Sequence, residues 1–404
     1  MALSSNTGPT RAAGGVQALA LIFALTLPIT PLLSLMPNLP QLFAHFASIP
    51  HAEFLVPLIA TMPSICIALL SPVSGVIADR LGRRKLLVIA SAIFGIFGLL
   101  PFWLHSLYAV LACLFVVGAA EAFIMTCGNA LLGDYFEPEA RKRWLGVQAV
   151  LGSILATLIL LAGGALGSIS WHAPFLINLL GAVVFVWLLL FSWEPARTGN
   201  APADGRPDPK ASRFPWSAML PIYGLSMLTG FFYYFQIELG VFFAHLGLRT
   251  PFQISLITTV ASVGVIAGGW YVHQQRGRSV AFNVMLIYLT YGIGFLGVGL
   301  AGSYWPALPF AIVAQVGNGL FIPTFVGWAL GTLDAQYRGR GMGIWMTSFF
   351  CAQFLSPTIL TLIARSNGGR LLVAVAEIGA ASLALTAIAA LKLRRAPEAA
   401  RAAD

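Results

Sequence analysis

Charge is the first thing this sequence lacks. Asp, Glu, Lys and Arg together make up 9% of its 404 residues, against about a quarter in soluble domains. With 58% of residues hydrophobic, a water-soluble fold of this length could not cover its own surface. Cysteine is nearly absent too. Cys66, Cys113, Cys127 and Cys351 all fall in apolar stretches, where they read as small buried hydrophobes. They form no pair with metal-ligand spacing and imply no disulfide framework. The chain also has no Gly-x-Ser-x-Gly, no His-Glu-x-x-His and no phosphate-binding glycine loop, so neither a membrane hydrolase nor an ATP-driven pump is supported. Five of the six histidines (His45, His51, His105, His172 and His245) stand apart near span ends, without ligand spacing, so no metal and no cofactor is expected.

What the sequence does have is long apolar runs. They cover about 16–37, 54–77, 86–105, 107–132, 144–167, 173–193, 217–243, 253–272, 281–302, 305–332, 341–364 and 370–391. Each is about as long as a helix needs to cross a bilayer. They are continuously apolar, which disfavours a strand barrel. The expected class is an all-α membrane protein of twelve transmembrane helices. The first run follows a polar stretch and holds Pro28 and Pro31 with no small-residue cleavage site after it, so it reads as a first span.

The net charge of +9 could point to nucleic acid, but the basic residues sit between the spans. If both termini are cytoplasmic, twenty of the 23 Lys and Arg lie on the cytoplasmic side, leaving Arg249, Arg365 and Arg370 outside. This is the positive-inside bias. Apart from Arg370 at the edge of the last, no Arg or Lys falls within an apolar run. The longest polar stretch, 194–216, is rich in Pro, Gly and charge and reads as a linker. It divides the chain into a six-helix bundle over 1–193 and another over 217–404. A faint repeat supports that division: Gly75 to Arg83 before the third run echoes Gly269 to Arg278 before the ninth, and Asp134 after the fourth echoes Asp334 after the tenth. Internal repeats of this kind are typical of secondary transporters.

Between the second and third runs stands Gly75-Val76-Ile77-Ala78-Asp79-Arg80-Leu81-Gly82-Arg83-Arg84-Lys85. In its residues and its place it resembles the signature loop of the major facilitator superfamily. Gly75 would allow close packing where the second helix leaves the membrane, and Gly82 would permit a tight turn. The resemblance implies two pseudo-symmetric six-helix bundles and alternating access. It implies that Asp79 faces the start of the eleventh helix near Gly341 and Gly343, and that Arg83 pairs with Asp134. Gly75, Asp79, Arg80, Gly82, Arg83, Arg84 and Asp134 would together form the conformational switch.

Three acids lie within spans: Glu121, Glu238 and Glu377. A charge at mid-helix costs about 2.5–3.5 kcal/mol on insertion scales, so an intramembrane acid is a functional candidate. Glu121 is near mid-span on the fourth helix, which lines the central cavity in the family, and suits a proton carrier. Glu238 is the second proton-coupling candidate. Phe231, Tyr234 or Phe235, Glu238 and Phe242 recur at helical spacing, a face that could hold an organic cation. Glu377 reads as structural. Asn129, Gln148, Gln315, Asn318 and Gln353 are uncharged polar residues available to line a cavity or to join helices.

The expected partners are a small-molecule substrate, protons and membrane lipids, with no nucleic acid and a monomeric chain. Absence of a cationic residue from the spans disfavours anions. The function expected is proton-coupled export of a small hydrophobic or cationic compound from the cytoplasm across the inner membrane. Uptake of a nutrient or siderophore-like molecule and lipid transport are the alternatives.

Overall fold

The computed structural model describes residues 13–194, 214–274, 279–333 and 337–395. Twelve long helical stretches follow one another: α1 Gly15–His45, α2 Ala52–Leu81, α3 Arg83–Phe102, α4 Leu107–Tyr135, α5 Pro138–Gly167 and α6 Ala173–Phe191. The second six are α7 216–245, α8 Pro251–Gln274, α9 Val280–Leu300, α10 Tyr304–Thr332, α11 Arg338–Ser366 and α12 Leu371–Arg395. Among the described residues there is no strand, as a lipid environment requires of a chain not closed into a barrel. Eleven of the twelve are long and apolar enough to cross a membrane. The other, α7, is broken at Gln236–Glu238 by a 3-10 turn.

Most residues of the basic loops lie at one end of the helices, here called the basic end. The opposite, or far, end carries the turns before α2, α4, α6, α8, α10 and α12. Exposed Trp103, Tyr108 and Trp305 sit near the far end, and Trp216 and Trp270 near the basic end, where amphipathic rings favour the membrane interface.

Proline shapes α1. It holds Pro28, Pro31, Pro37 and Pro40, and 3-10 turns at Leu27–Ile29 and Met36–Asn38 absorb the missing backbone donors. The helix therefore runs on to His45 instead of ending near residue 37 as the apolar pattern suggests. Asn38 strengthens the result: its Nδ2 donates to Ser34 O at 2.7 Å and to Gly163 O of α5 at 3.1 Å.

Helices α1–α6 pack chiefly on one another, as do α7–α12. The halves meet through α2 against α11 and α5 against α8, with smaller contacts between α1 and α7. One apolar core fills the second half and continues into the far ends of α1, α2 and α4. A second, separate core joins α1, α3, α4 and α6 toward the basic end. The apolar continuity between halves is thus confined to the far side.

Candidate substrate and proton site

The loop before α3 shows how its residue types act. Gly82 has φ +97°, in the left-handed half of backbone space where a side chain is strained. Its neighbour Arg83 donates through Nη1 to both carboxylate oxygens of Asp134, at 2.8 and 2.7 Å. Glu194 accepts from the backbone N–H groups of Arg83 (2.8 Å) and Arg84 (3.0 Å), a carboxylate on the positive end of α3. Arg84 reaches Ser192 Oγ at 3.2 Å and Leu189 O at 3.1 Å. The loop therefore ties α3 to α4 and to the end of α6, all within one half. Sequence reading missed Glu194, which looked like the first residue of a linker; its position beside a helix N-terminus exists only after folding. Arg80 is exposed, and the side chain of Asp79 lies outside the described residues.

Gly75 differs from expectation. A Cβ there would meet nothing within 4 Å, and the same is true at Gly343. Helix α2 meets α11 farther along, and among the described residues nothing approaches Gly75 closely. The contacts between halves lie at mid-helix or beyond, toward the far end. Thr347 donates to Ala68 O at 3.2 Å, Thr361 to Glu53 O at 3.2 Å, and Phe252 N to Ser168 Oγ at 3.3 Å. Arg365 forms an ion pair with Glu53 and lies 4.6 Å from the centroid of the Phe54 ring. A Cβ on Gly164 of α5 would fall 2.5 Å from Ser255 Cβ of α8, so only glycine lets these two helices close.

Glu121 and Glu238 are both buried, at 1% and 4% exposure. In each, Oε1 has no hydrogen-bond partner. Glu121 sits midway along α4. Glu238 ends the 3-10 turn in α7. That turn interrupts the helical spacing from Phe231 to Phe242: Phe242 is buried, Phe231 is half-buried, and the side chains of Tyr234 and Phe235 lie outside the described residues. Glu377 accepts from Asn367 Nδ2 at 2.6 Å, a bond that joins the ends of α11 and α12.

Two of the predicted polar residues come together. Asn318 Nδ2 donates to Gln315 Oε1 at 2.9 Å, and Tyr291 of α9 donates to Asn318 Oδ1 at 2.7 Å. Thr229 and Tyr288 share a 2.8 Å bond beside them. Aromatic rings surround this network: Phe232 stacks on Tyr291, Tyr233 touches Phe321 and Phe349, and Trp345 stacks on Phe349. Gln353 is buried elsewhere on α11. The tyrosines were missed because one Tyr in an apolar run carries no sign of what it faces; the spacing of Tyr288 and Tyr291 on one face of α9 was the available signal.

Three histidines that stand apart in sequence converge at the far end. His105 and His172 have ring centroids 5.2 Å apart, and Trp171 lies between His172 (3.5 Å) and His45 (4.7 Å). Among the described residues no group of His, Cys, Asp and Glu has the arrangement of a metal site. Burial, then the charges of His105 and His45, hold the His172 imidazole below its ordinary pKa.

Two bundles joined along α2/α11 and α5/α8, with acids buried in their apolar helices, have the architecture of a membrane transporter. The model of the Major Facilitator Superfamily matches residues 18–357, and the chain belongs to that family. Its relatives are transporters, not enzymes. It is 25% identical over 350 residues to the class C tetracycline resistance protein of Escherichia coli, covering 81% of this chain and 84% of that protein. It is 26% identical over 279 residues to the probable chloroplastic anion transporter 4 of Arabidopsis thaliana, where the match covers 58% of this chain and spans half the length of that relative. In fold it is similar to a POT family transporter bound to 5-aminolevulinic acid, with TM-score 0.71, 15% identity, and 93% and 95% of the two chains covered. A nucleoside transporter gives TM-score 0.69 at 13% identity over 93% and 99%.

Proposed function

We propose that this transporter is a proton-coupled antiporter exporting a small hydrophobic or cationic compound. The observation that carries this reading is Glu121: a carboxyl at mid-helix with 1% exposure and an oxygen that no described group satisfies. Such a group is costly as a bare charge and can take up and release a proton as its access to water changes. The similarity to tetracycline resistance proteins and to a multidrug efflux pump of Mycolicibacterium smegmatis (24% identical over 217 residues, 53% of this chain and 38% of that protein) supports export. The lack of Arg or Lys in the interior of the apolar runs argues against an anionic substrate. In this reading the chain is a monomer in the lipid of the cytoplasmic (inner) membrane. Both termini are cytoplasmic, and its two bundles, divided near 194–216, rock about the contacts of α2 with α11 and α5 with α8. Asp79 and the ion pair of Arg83 with Asp134 would steady the cytoplasmic side when the far end opens.

The test is proton flux and efflux in inside-out vesicles, screened against neutral and cationic hydrophobic compounds. Glu121→Gln mimics the protonated acid and should abolish gradient-driven transport while leaving substrate exchange. Full proton-coupled transport by this variant, with unchanged pH dependence, would make Glu121 structural and leave Glu238 as the leading proton site.

A further inference from the structure

Rings clamp the far end of the first bundle. His45, the last residue of α1, and His172, just before α6, both lie against Trp171, with centroids 4.7 and 3.5 Å away and planes 35° and 29° apart. Phe46 meets the same indole edge-on at 5.2 Å, and His105 in the turn before α4 meets His172 edge-on at 5.2 Å. Trp171 is buried, whereas His45 and His105 are exposed. His172 is half-buried, and its Nε2 is enclosed without a hydrogen-bond partner. A proton on that nitrogen would make a charged donor with no acceptor, which is costly inside a protein. The charged groups close enough to act on it are His105 and His45, and no carboxylate is among them. The cluster also adjoins two contacts between the halves. Ser168, four residues before His172 in the same turn, accepts from the Phe252 N–H of α8 at 3.3 Å. The segment Leu39–His45 of α1 packs on Leu239–His245 of α7.

We propose that this cluster is a pH sensor for the far side: when His172 gains a proton its ring leaves Trp171, the clamp on the end of α1 and on the α5–α6 turn loosens, and the far end opens. The inference rests on the transporter reading above and adds to it a control that Glu121 does not supply. With the far ends in contact, burial, then the charges of His105 and His45, hold the His172 imidazole below its ordinary 6.5. A ring released into water takes the proton more readily, so the proton favours the open conformation. The ratio of open to closed is constant above pH 6.5. It rises as the pH falls below that value, by at most about tenfold per pH unit, the slope for a single proton. It levels off once the pH is below the lower value of the closed conformation. In an exporter driven by protons from outside, acid on the far side thus turns the transporter toward the side that supplies them.

The test uses full-length protein in lipid nanodiscs, with the four native cysteines replaced by alanine and spin labels at Ser48→Cys and Ser303→Cys, one on each half at the far end. Between about pH 8 and about pH 5, the range in which imidazoles titrate, the longer-distance component should grow as the pH falls. His172→Phe keeps a ring against Trp171 and takes no proton, so the shorter component should hold at every pH. His172→Gln, polar and equally unable to ionise in this range, should also give a distribution that does not change with pH, whatever its mean, so the test does not depend on one substitution folding. His45→Gln and His105→Gln leave His172 in place and should keep a response. No response in the parent, a response that persists in His172→Phe or His172→Gln, or one that vanishes in His45→Gln or His105→Gln would each overturn the assignment. The measurement needs neither substrate nor a proton gradient, and Glu121→Gln should respond as the parent does; loss of the response there would assign it to Glu121 and overturn the sensor. A flat response in the parent leaves the proton reading of Glu121 standing, and failure of proton coupling at Glu121 leaves the sensor standing.

Discussion

At the scale of single residues, two positions make sharp demands. Gly82 combines φ +97° with a Cβ direction that points 3.1 Å from the Glu194 carboxylate. Gly82→Ala should destabilise the first bundle by about 1–3 kcal/mol, the usual cost of a strained backbone position. A thermal-shift assay in detergent reads this, and adding Glu194→Ala should recover little, because the strain is in the backbone. Removing the pair of Arg83 and Asp134 should cost much less, about 0–1 kcal/mol, because both side chains are about a third exposed. His172 makes the second demand. Its pKa is held below the ordinary 6.5, so the folded chain resists a proton that the unfolded chain accepts. That contribution is fully favourable above pH 6.5 and is lost as the pH falls toward the lower folded value. Melting temperature should therefore drop on acidification through this window, and His172→Phe should flatten the slope. An unchanged slope would place the titrating group elsewhere.

At the scale of elements, helix contacts depend on small residues more than on apolar bulk, as expected where lipid competes equally for apolar surface. Helix α5 illustrates this. A Cβ on Gly163 would lie 2.4 Å from Ser34 O of α1, a backbone atom that cannot swing aside. Gly163→Ala should force α1 and α5 apart, with loss of about 1–3 kcal/mol, the range for overpacking. Gly146→Ala on the same helix meets open space and serves as the control. Comparable melting of the two variants would remove the argument. Helix α7 carries a different lesson. Its 3-10 turn at Gln236–Glu238 has no proline to announce it, so helical periodicity is a poor guide to which residues share a face across it.

At the scale of the whole molecule, an ion pair and hydrogen bonds fasten the halves toward the far end, and among the described residues none is found at the basic end. Glu53 links the halves twice, through its carboxylate to Arg365 and through its backbone oxygen to Thr361. Removing the charge with Glu53→Gln or Arg365→Gln should shift the population toward a state open at the far end, because only contacts made in one state bias the equilibrium. Spin labels at Ser106→Cys and Ser303→Cys, one on each half, should show a longer distance component in either variant. Restoring the pair with charges exchanged should remove it. Identical distance distributions in the parent and both single variants would show that the ion pair is not a lock.

Much of this was legible in the order of residues. Apolar runs of bilayer length fix the helices, since backbone groups in lipid can be satisfied only within a helix or a closed barrel. The basic loops mark one end of those helices, and the loop from Gly75 to Lys85 carries the resemblance to the family. Even a specific contact, Arg83 with Asp134, was available there, as something the resemblance of that loop to the family signature implies. Other features came only with tertiary structure. Glu194 on the start of α3, Glu53 against Arg365 and the rings of His45, His105 and His172 all join residues far apart in the chain. The same holds for Gln148: its residue type offered either a helix contact or a cavity wall, and only the packing shows that its side-chain oxygen is buried without a partner. Local sequence decides whether a segment is a helix, because the hydrogen bonds that satisfy a helix lie within the segment. Which side chains meet between helices depends on rotation, bends and depth, and these are settled only when all the faces pack at once.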